Sequence, residues 1–127
     1  MIHEEVTLAG KPVNLGYCYA TEIAYKDLSD ENITDIIQDT ITGINATPSR
    51  MPDAKRSIHL VLAAIIAYYE SKGEDAPVKD SELINETSPM EVGKALGTVL
   101  SLRAEFYAVP AGEPEEKPAK GKGKAKN

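Results

Sequence analysis

Side chains that could carry out chemistry are few in this sequence and lie far apart. The chain has two histidines, His3 and His59, and a single cysteine, Cys18. His3 lies near the terminus in an acidic stretch, where we expect a solvated side chain, and His59 opens an apolar helix, where a structural histidine is expected. Cys18 has no adjacent Lys or Arg that would stabilise a thiolate. None of the three stands in a sequence motif with a base, a nucleophile or a second metal ligand.

Motifs that bind phosphates, dinucleotides or metals are also missing from the sequence. No GxxxxGK[ST], GxGxxG, HExxH or DxDxDG pattern occurs. The carboxylates of the first helices are interpreted as solvated side chains; they belong to Asp27, Asp30, Glu31, Asp35 and Asp39. The sequence therefore predicts a protein that is not an enzyme, with no catalytic, cofactor-binding or metal-binding residues.

Charge and cysteine usage limit the classes of protein that fit. Residues 111–127 hold five Lys and three Glu, a net charge of +2, which leaves −8 for residues 1–110 in a chain of net charge −6. An acidic body of this kind repels nucleic acids and anionic membranes. One cysteine excludes an internal disulfide framework and suits a reducing compartment. With no basic and apolar leader at the start, we expect a cytoplasmic protein.

The residues around which the chain must fold lie in the stretch DAKRSIHLVLAAIIAYY, residues 53–69. Its middle is apolar on nearly every position, which a surface helix is not. It is also shorter than the roughly 20 apolar residues that a membrane span needs. This pattern predicts a central helix buried on most sides, with Asp53 as N-cap and Gly73 as C-cap.

The remaining elements are predicted from periodicity and turn chemistry. Alternating residues 4–8 and 12–15 around an Ala-Gly-Lys turn favour a β-hairpin. Helices are predicted for residues 17–28, 31–42 and 88–107, the last one with a capping box formed by Ser88 and Glu91. A short turn or helix at residues 81–85 is expected to point Leu83 and Ile84 inward.

The fold class is thus mainly α, a short N-terminal hairpin followed by a compact bundle of about four to five helices. This helical domain should cover residues 1–109. Residues 110–127 are rich in Lys, Gly and Ala and are predicted to form a disordered tail. From residue 111 onward this segment has no apolar side chain larger than Ala with which to form a core.

The order of these elements resembles that of the tail assembly chaperones of tailed phages. The run VTLAGKPVNLGYCYATEIAYKDLSDENITDII, with Gly10-Lys11 in the turn, resembles the family's opening. Residues 58–69 and 88–107 look like its central and final helices. The resemblance implies a non-catalytic protein that binds the tape measure protein, helps recruit tail tube subunits and is not expected in the mature virion.

Such binding requires apolar side chains that remain exposed and receive an amphipathic helix. Tyr17, Tyr19 and Tyr25 cannot all face one way on a helix, so at least one is expected at the surface. A homo-oligomer through the same faces is left open, and the acidic body favours a basic partner. The candidate partner-binding residues are the exposed members of Tyr17, Tyr19, Ile23, Tyr25, Ile33, Ile37 and Ile41.

Two alternatives remain at this point. The chain could be a small helical adaptor or regulator whose basic C-terminal tail contacts nucleic acid, since lysines bind phosphate backbones. It could also be another phage component, such as a tail-completion protein, that stays in the virion.

Overall fold

A two-stranded hairpin followed by five helices makes up residues 1–108, the part of the chain that the computed structural model describes. The predicted fold class is confirmed by this order of elements. The tail predicted for residues 110–127 lies outside the described residues. The elements are β1 (Ile2–Leu8), β2 (Lys11–Tyr17), α1 (Tyr19–Ser29), α2 (Ile33–Ile44), α3 (Ala54–Lys72), α4 (Asp80–Glu86) and α5 (Pro89–Tyr107).

The hairpin turns through two residues with positive φ, Ala9 at 52° and Gly10 at 76°. Two left-handed residues in succession match the right-handed twist of the paired strands, which is why this turn suits a hairpin. Lys11 belongs to β2, whereas the sequence analysis placed it in the turn. The strands pair antiparallel, with Val6 opposite Val13. The face that carries Leu8 and Val13 is buried at the tight end of the hairpin.

Helix α3 lies at the centre of the domain, as predicted. The carboxylate of Asp53 accepts a hydrogen bond from the backbone N–H of Arg56 at 3.0 Å, and Gly73 ends the helix with φ 67°. Strand β2 packs closely on it, because a Cβ at Gly16 would lie only 3.3 Å from the Cα of Tyr68. The fully buried residues of α3 are Leu60, Val61, Ala63, Ala64 and Ile65.

Helices α1 and α2 both begin two residues later than the sequence predicted. Tyr17 is the last residue of β2, and Cys18 is the N-cap of α1. Asp30, the residue before the predicted helix 31–42, is the C-cap of α1: it has the left-handed conformation, φ 55°, and its N–H donates to the carbonyl of Lys26 at 2.8 Å. Asn32 precedes α2 instead.

The C-terminal helices follow the prediction except at single positions. Ser88 caps α5 through its hydroxyl, which accepts from the N–H of Glu91 at 3.2 Å. On α4, Leu83 is buried but Ile84 is 64% exposed, so the prediction that both point inward was wrong. Successive residues of a helix are 100° apart, and a helix this short has only one inner face.

Candidate partner-binding surface

The structure divides the seven candidate residues into two groups. Tyr19 is 64% exposed, Ile23 62% and Ile41 42%, so at least one tyrosine does reach the surface as expected. The other four are core residues and cannot form part of a binding surface in this conformation. These four are Tyr17, Tyr25, Ile33 and Ile37.

Each buried candidate has a local cause. Tyr17 belongs to β2 and points to the same face as the core residue Leu15, two positions earlier. Tyr25 lies one helical turn after Thr21, on the side of α1 that faces the core. Ile33 and Ile37 are on the inward stripe of α2. Ile41 is exposed alone near the end of α2, whereas Tyr19 and Ile23 are exposed together on the outer face of α1. The candidate surface is therefore centred on α1.

An open groove of about 590 Å³ runs between α1 and α3. Its apolar lining combines the small side chains of Ala20, Ala24 and Ala67 with the larger ones of Leu28 and Ile66. Ile23 stands beside this lining, and a second shallow hollow on its other side is bordered by Tyr19. Tyr19 and Ile23 are one turn apart and thus form an exposed apolar ridge, with the groove on one side and the hollow on the other.

Acidic side chains border the apolar lining. Asp27 of α1 and Glu70 of α3 both line the groove, on opposite walls. Lys26 lies in the second hollow next to Tyr19. An apolar lining between two carboxylates suits an amphipathic helix whose flanks are basic.

The ridge is held in place by the end of α5. The ring of Phe106 lies 5.2 Å from that of Tyr19 in an edge-to-face arrangement. Glu22 accepts hydrogen bonds from the hydroxyls of Tyr17, at 2.7 Å, and Tyr107. Burial and this hydrogen bond raise the pKa of Tyr17 well above its ordinary range, and the bond to Glu22 also raises the pKa of Tyr107. The end of α5 is therefore fastened to the outer part of α1.

A second polar cluster joins α2 to α3, and the sequence analysis missed it. Arg56 donates to both carboxylate oxygens of Glu31, at 3.1 and 2.9 Å, and to Asp39 at 2.7 Å. The hydroxyl of Tyr25 donates to Glu31 at 2.7 Å, and burial together with this bond raises the pKa of Tyr25 to about 12. Glu31 and Asp39 are not the solvated carboxylates that were expected. Residues this far apart in sequence leave no spacing signal.

The side chains first considered for chemistry are dispersed in the fold. Nδ1 of His59 lies 2.8 Å from the hydroxyl of Ser29, a hydrogen bond between α3 and α1. His3 packs against the ring of Tyr68. Within residues 1–108, no group of three or more His, Cys, Asp or Glu side chains is placed to hold a metal ion. No helix of this part of the chain is long and apolar enough to cross a membrane.

Comparison with known proteins gives no family to which these features could be assigned. A scan against protein-family models found no match, and neither did searches of curated proteins and of solved structures.

Proposed function

We propose that the protein is a tail assembly chaperone of a tailed bacteriophage that acts by binding. Its partner would be an amphipathic, helical segment of the tape measure protein, held in the groove between α1 and α3. By the same proposal it helps recruit tail tube subunits, works in the host cytoplasm and is left out of the finished virion.

The observation that carries this proposal is the exposure of Ile23, which lines that groove, and of Tyr19 one turn before it, which borders the neighbouring hollow. Large apolar side chains that lie on one helix face, one turn apart, are exposed at a cost unless a partner covers them. An amphipathic helix presents its anchors at i, i+3 and i+4 on one face, and the apolar lining of the groove beside Ile23 would receive them. The carboxylates of Asp27 and Glu70 favour basic flanks on that helix.

The order of elements adds support from the sequence. The elements run from a hairpin with Gly10 in its turn through two short helices, a central apolar helix and α4 to a final helix, an order that resembles that of tail assembly chaperones.

A pair of matched variants tests the proposal. Ile23→Arg places a charge on the ridge, and Ile84→Arg places the same charge on α4 at a residue that is 64% exposed against 62% for Ile23. The proposal requires a long, helix-rich reading frame directly downstream; the full chain is co-expressed with the product of that frame, and co-purification is measured. We expect Ile84→Arg to retain the partner and Ile23→Arg to lose it at least about tenfold, as for a central interface anchor.

Equal retention by both variants would show that the groove is not the binding site. Absence of phage tail genes around the coding sequence would remove the chaperone function itself. In that case the adaptor with a nucleic-acid-binding tail becomes the leading alternative, and deletion of residues 111–127 should then abolish binding to nucleic acid.

A further inference from the structure

The two strands of the hairpin have opposite outer edges, and the register shows which backbone groups face outward. Leu8 is opposite Lys11 directly at the two-residue turn, so this pair exchanges hydrogen bonds and pairs alternate from there. The residues whose N–H and C=O groups point away from the partner strand are then His3, Glu5 and Thr7 in β1, and Pro12, Asn14 and Gly16 in β2.

The outer edge of β2 is blocked at each of these positions. Pro12 has no N–H to donate. The N–H of Asn14 donates to the hydroxyl of Tyr69 at 3.0 Å, and the carbonyl of Gly16 accepts from the hydroxyl of Thr21 at 2.9 Å. These contacts also confirm the alternation, since each of them lies on the predicted outer side. One outward group at each of the three positions is missing or already bonded, so β2 is a poor edge for a further strand.

The outer edge of β1 has no such protection. Among residues 1–108, no hydrogen bond joins the backbone of His3, Glu5 or Thr7 to any group outside the hairpin. All three residues are exposed. An edge with free donors and acceptors pairs readily with another extended chain, and proteins normally cover or block it.

A groove of about 620 Å³ continues this edge onto α5. Glu4, Val6 and Thr7 form its strand side, and Lys94 and Gly97 lie on the helix side. Gly97 is open, because nothing lies within 4 Å of the place where its Cβ would be. A third strand beside β1 would therefore extend the sheet over α5 without displacing any side chain at Gly97.

The charges around this edge determine what fits. Glu4 and Glu91 line the groove against a single cation, Lys94, and Glu5 stands at the centre of the free edge. If two copies of the chain paired antiparallel over the whole of residues 3–7, Glu5 would lie directly opposite Glu5 of the second copy, which is unfavourable. A strand with lysine or arginine opposite Glu5 is favoured instead.

We propose that β1 binds an extended, basic segment of a partner protein as a third, edge-added strand. Its basic side chains lie on the outer face opposite Glu5, and its alternate, small or apolar side chains lie on Val6 and Gly97. This surface is separate from the groove between α1 and α3 and does not depend on the function proposed above.

The test uses the full chain and a short synthetic peptide that alternates lysine with valine. In an antiparallel third strand the residue directly opposite Glu5 exchanges hydrogen bonds with it, so the N–H groups of the lysines point at β1. Peptides N-methylated at lysine positions should therefore lose binding, and peptides with the same number of methyl groups on valine should retain it. Binding is followed by amide NMR shifts, which we expect at His3, Glu5 and Thr7.

Two variants at one position separate the backbone from the charge. Glu5→Pro removes an outward N–H, as Pro12 does in β2, and leaves the bonds within the hairpin intact. Glu5→Gln removes only the charge. We expect Glu5→Pro to weaken peptide binding roughly tenfold more than Glu5→Gln does, with unchanged circular dichroism.

Several results would overturn the proposal. They are equal binding of the two methylated peptides, no binding at millimolar concentration, and shifts confined to α1 and α3. A concentration-dependent dimer that Glu5→Pro disrupts would show self-pairing instead. Amides of His3, Glu5 and Thr7 that are protected from hydrogen exchange in the free chain would show that the chain covers its own edge.

Discussion

Helices α3 and α1 pack against each other, yet their apolar side chains serve different ends. In α3, Leu60 and Ile65 have no exposed surface, because the hairpin, α1 and α5 all pack around that helix. In α1, Thr21 and Tyr25 are buried but Tyr19 and Ile23 are more than 60% exposed. The difference shows that a helix with neighbours on several sides buries its isoleucines fully or in part, whereas a helix packed on one side leaves an isoleucine of its outer face at the surface.

The largest difference in the free energy of unfolding is expected when one isoleucine in each helix is truncated to alanine. Ile65→Ala removes fully buried methyl groups and should lower the free energy of unfolding by about 2–5 kcal/mol, through lost burial and a cavity. Ile23→Ala should change it by less than about 0.5 kcal/mol, since the side chain is 62% exposed. Urea denaturation measures both. Similar losses in the two variants would mean that Ile23 is covered in solution.

A smaller effect is expected from the polar contacts of the two helices. Arg56 of α3 bonds to Glu31 and Asp39 and is 26% exposed, so Arg56→Ala should cost about 1–3 kcal/mol and loosen α2. Lys26→Ala on exposed α1 is the matched control, for which less than about 0.5 kcal/mol is expected. The comparison fails if both alanine variants unfold at the same urea concentration.

The smallest expected effect is a pH dependence of stability that arises from Glu31, which is bonded to Arg56 of α3. Burial opposes ionisation of Glu31, but bonds from Arg56 and Tyr25 outweigh it and hold the pKa of Glu31 below its ordinary value. Stability from this depressed pKa is complete above the unfolded value of about 4.3 and is lost as pH falls through the folded pKa.

The Tm of the native chain should accordingly fall on acidification from about pH 5 to about pH 3 more steeply than that of Glu31→Gln, whose side chain does not titrate. Thermal melts at several pH values measure the slope. Parallel curves for the two proteins would show that Glu31 does not contribute to acid sensitivity.

Local sequence signals were enough to predict most elements. The caps at Asp53 and Ser88 were predicted correctly, because each side-chain oxygen accepts from the N–H only three residues later in the chain. The burial of α3 was also predicted correctly, because its apolar run has a single structural interpretation. The start of α1 was placed wrongly because Tyr17 continues the alternation of β2 and also fits a helical period. The actual boundary depends on Thr21, which bonds to the carbonyl of Gly16.

The sequence alone thus determined the fold class, the central helix and the separation of an acidic body from a basic C-terminal segment, because periodicity, capping and charge are local properties. Only the tertiary structure decided which candidate residues are exposed. It also decided that Arg56 joins Glu31 to Asp39, and that β2 is a blocked edge while β1 is open. These features depend on contacts between residues distant in the chain, and such contacts arise only when the helices and the hairpin pack together.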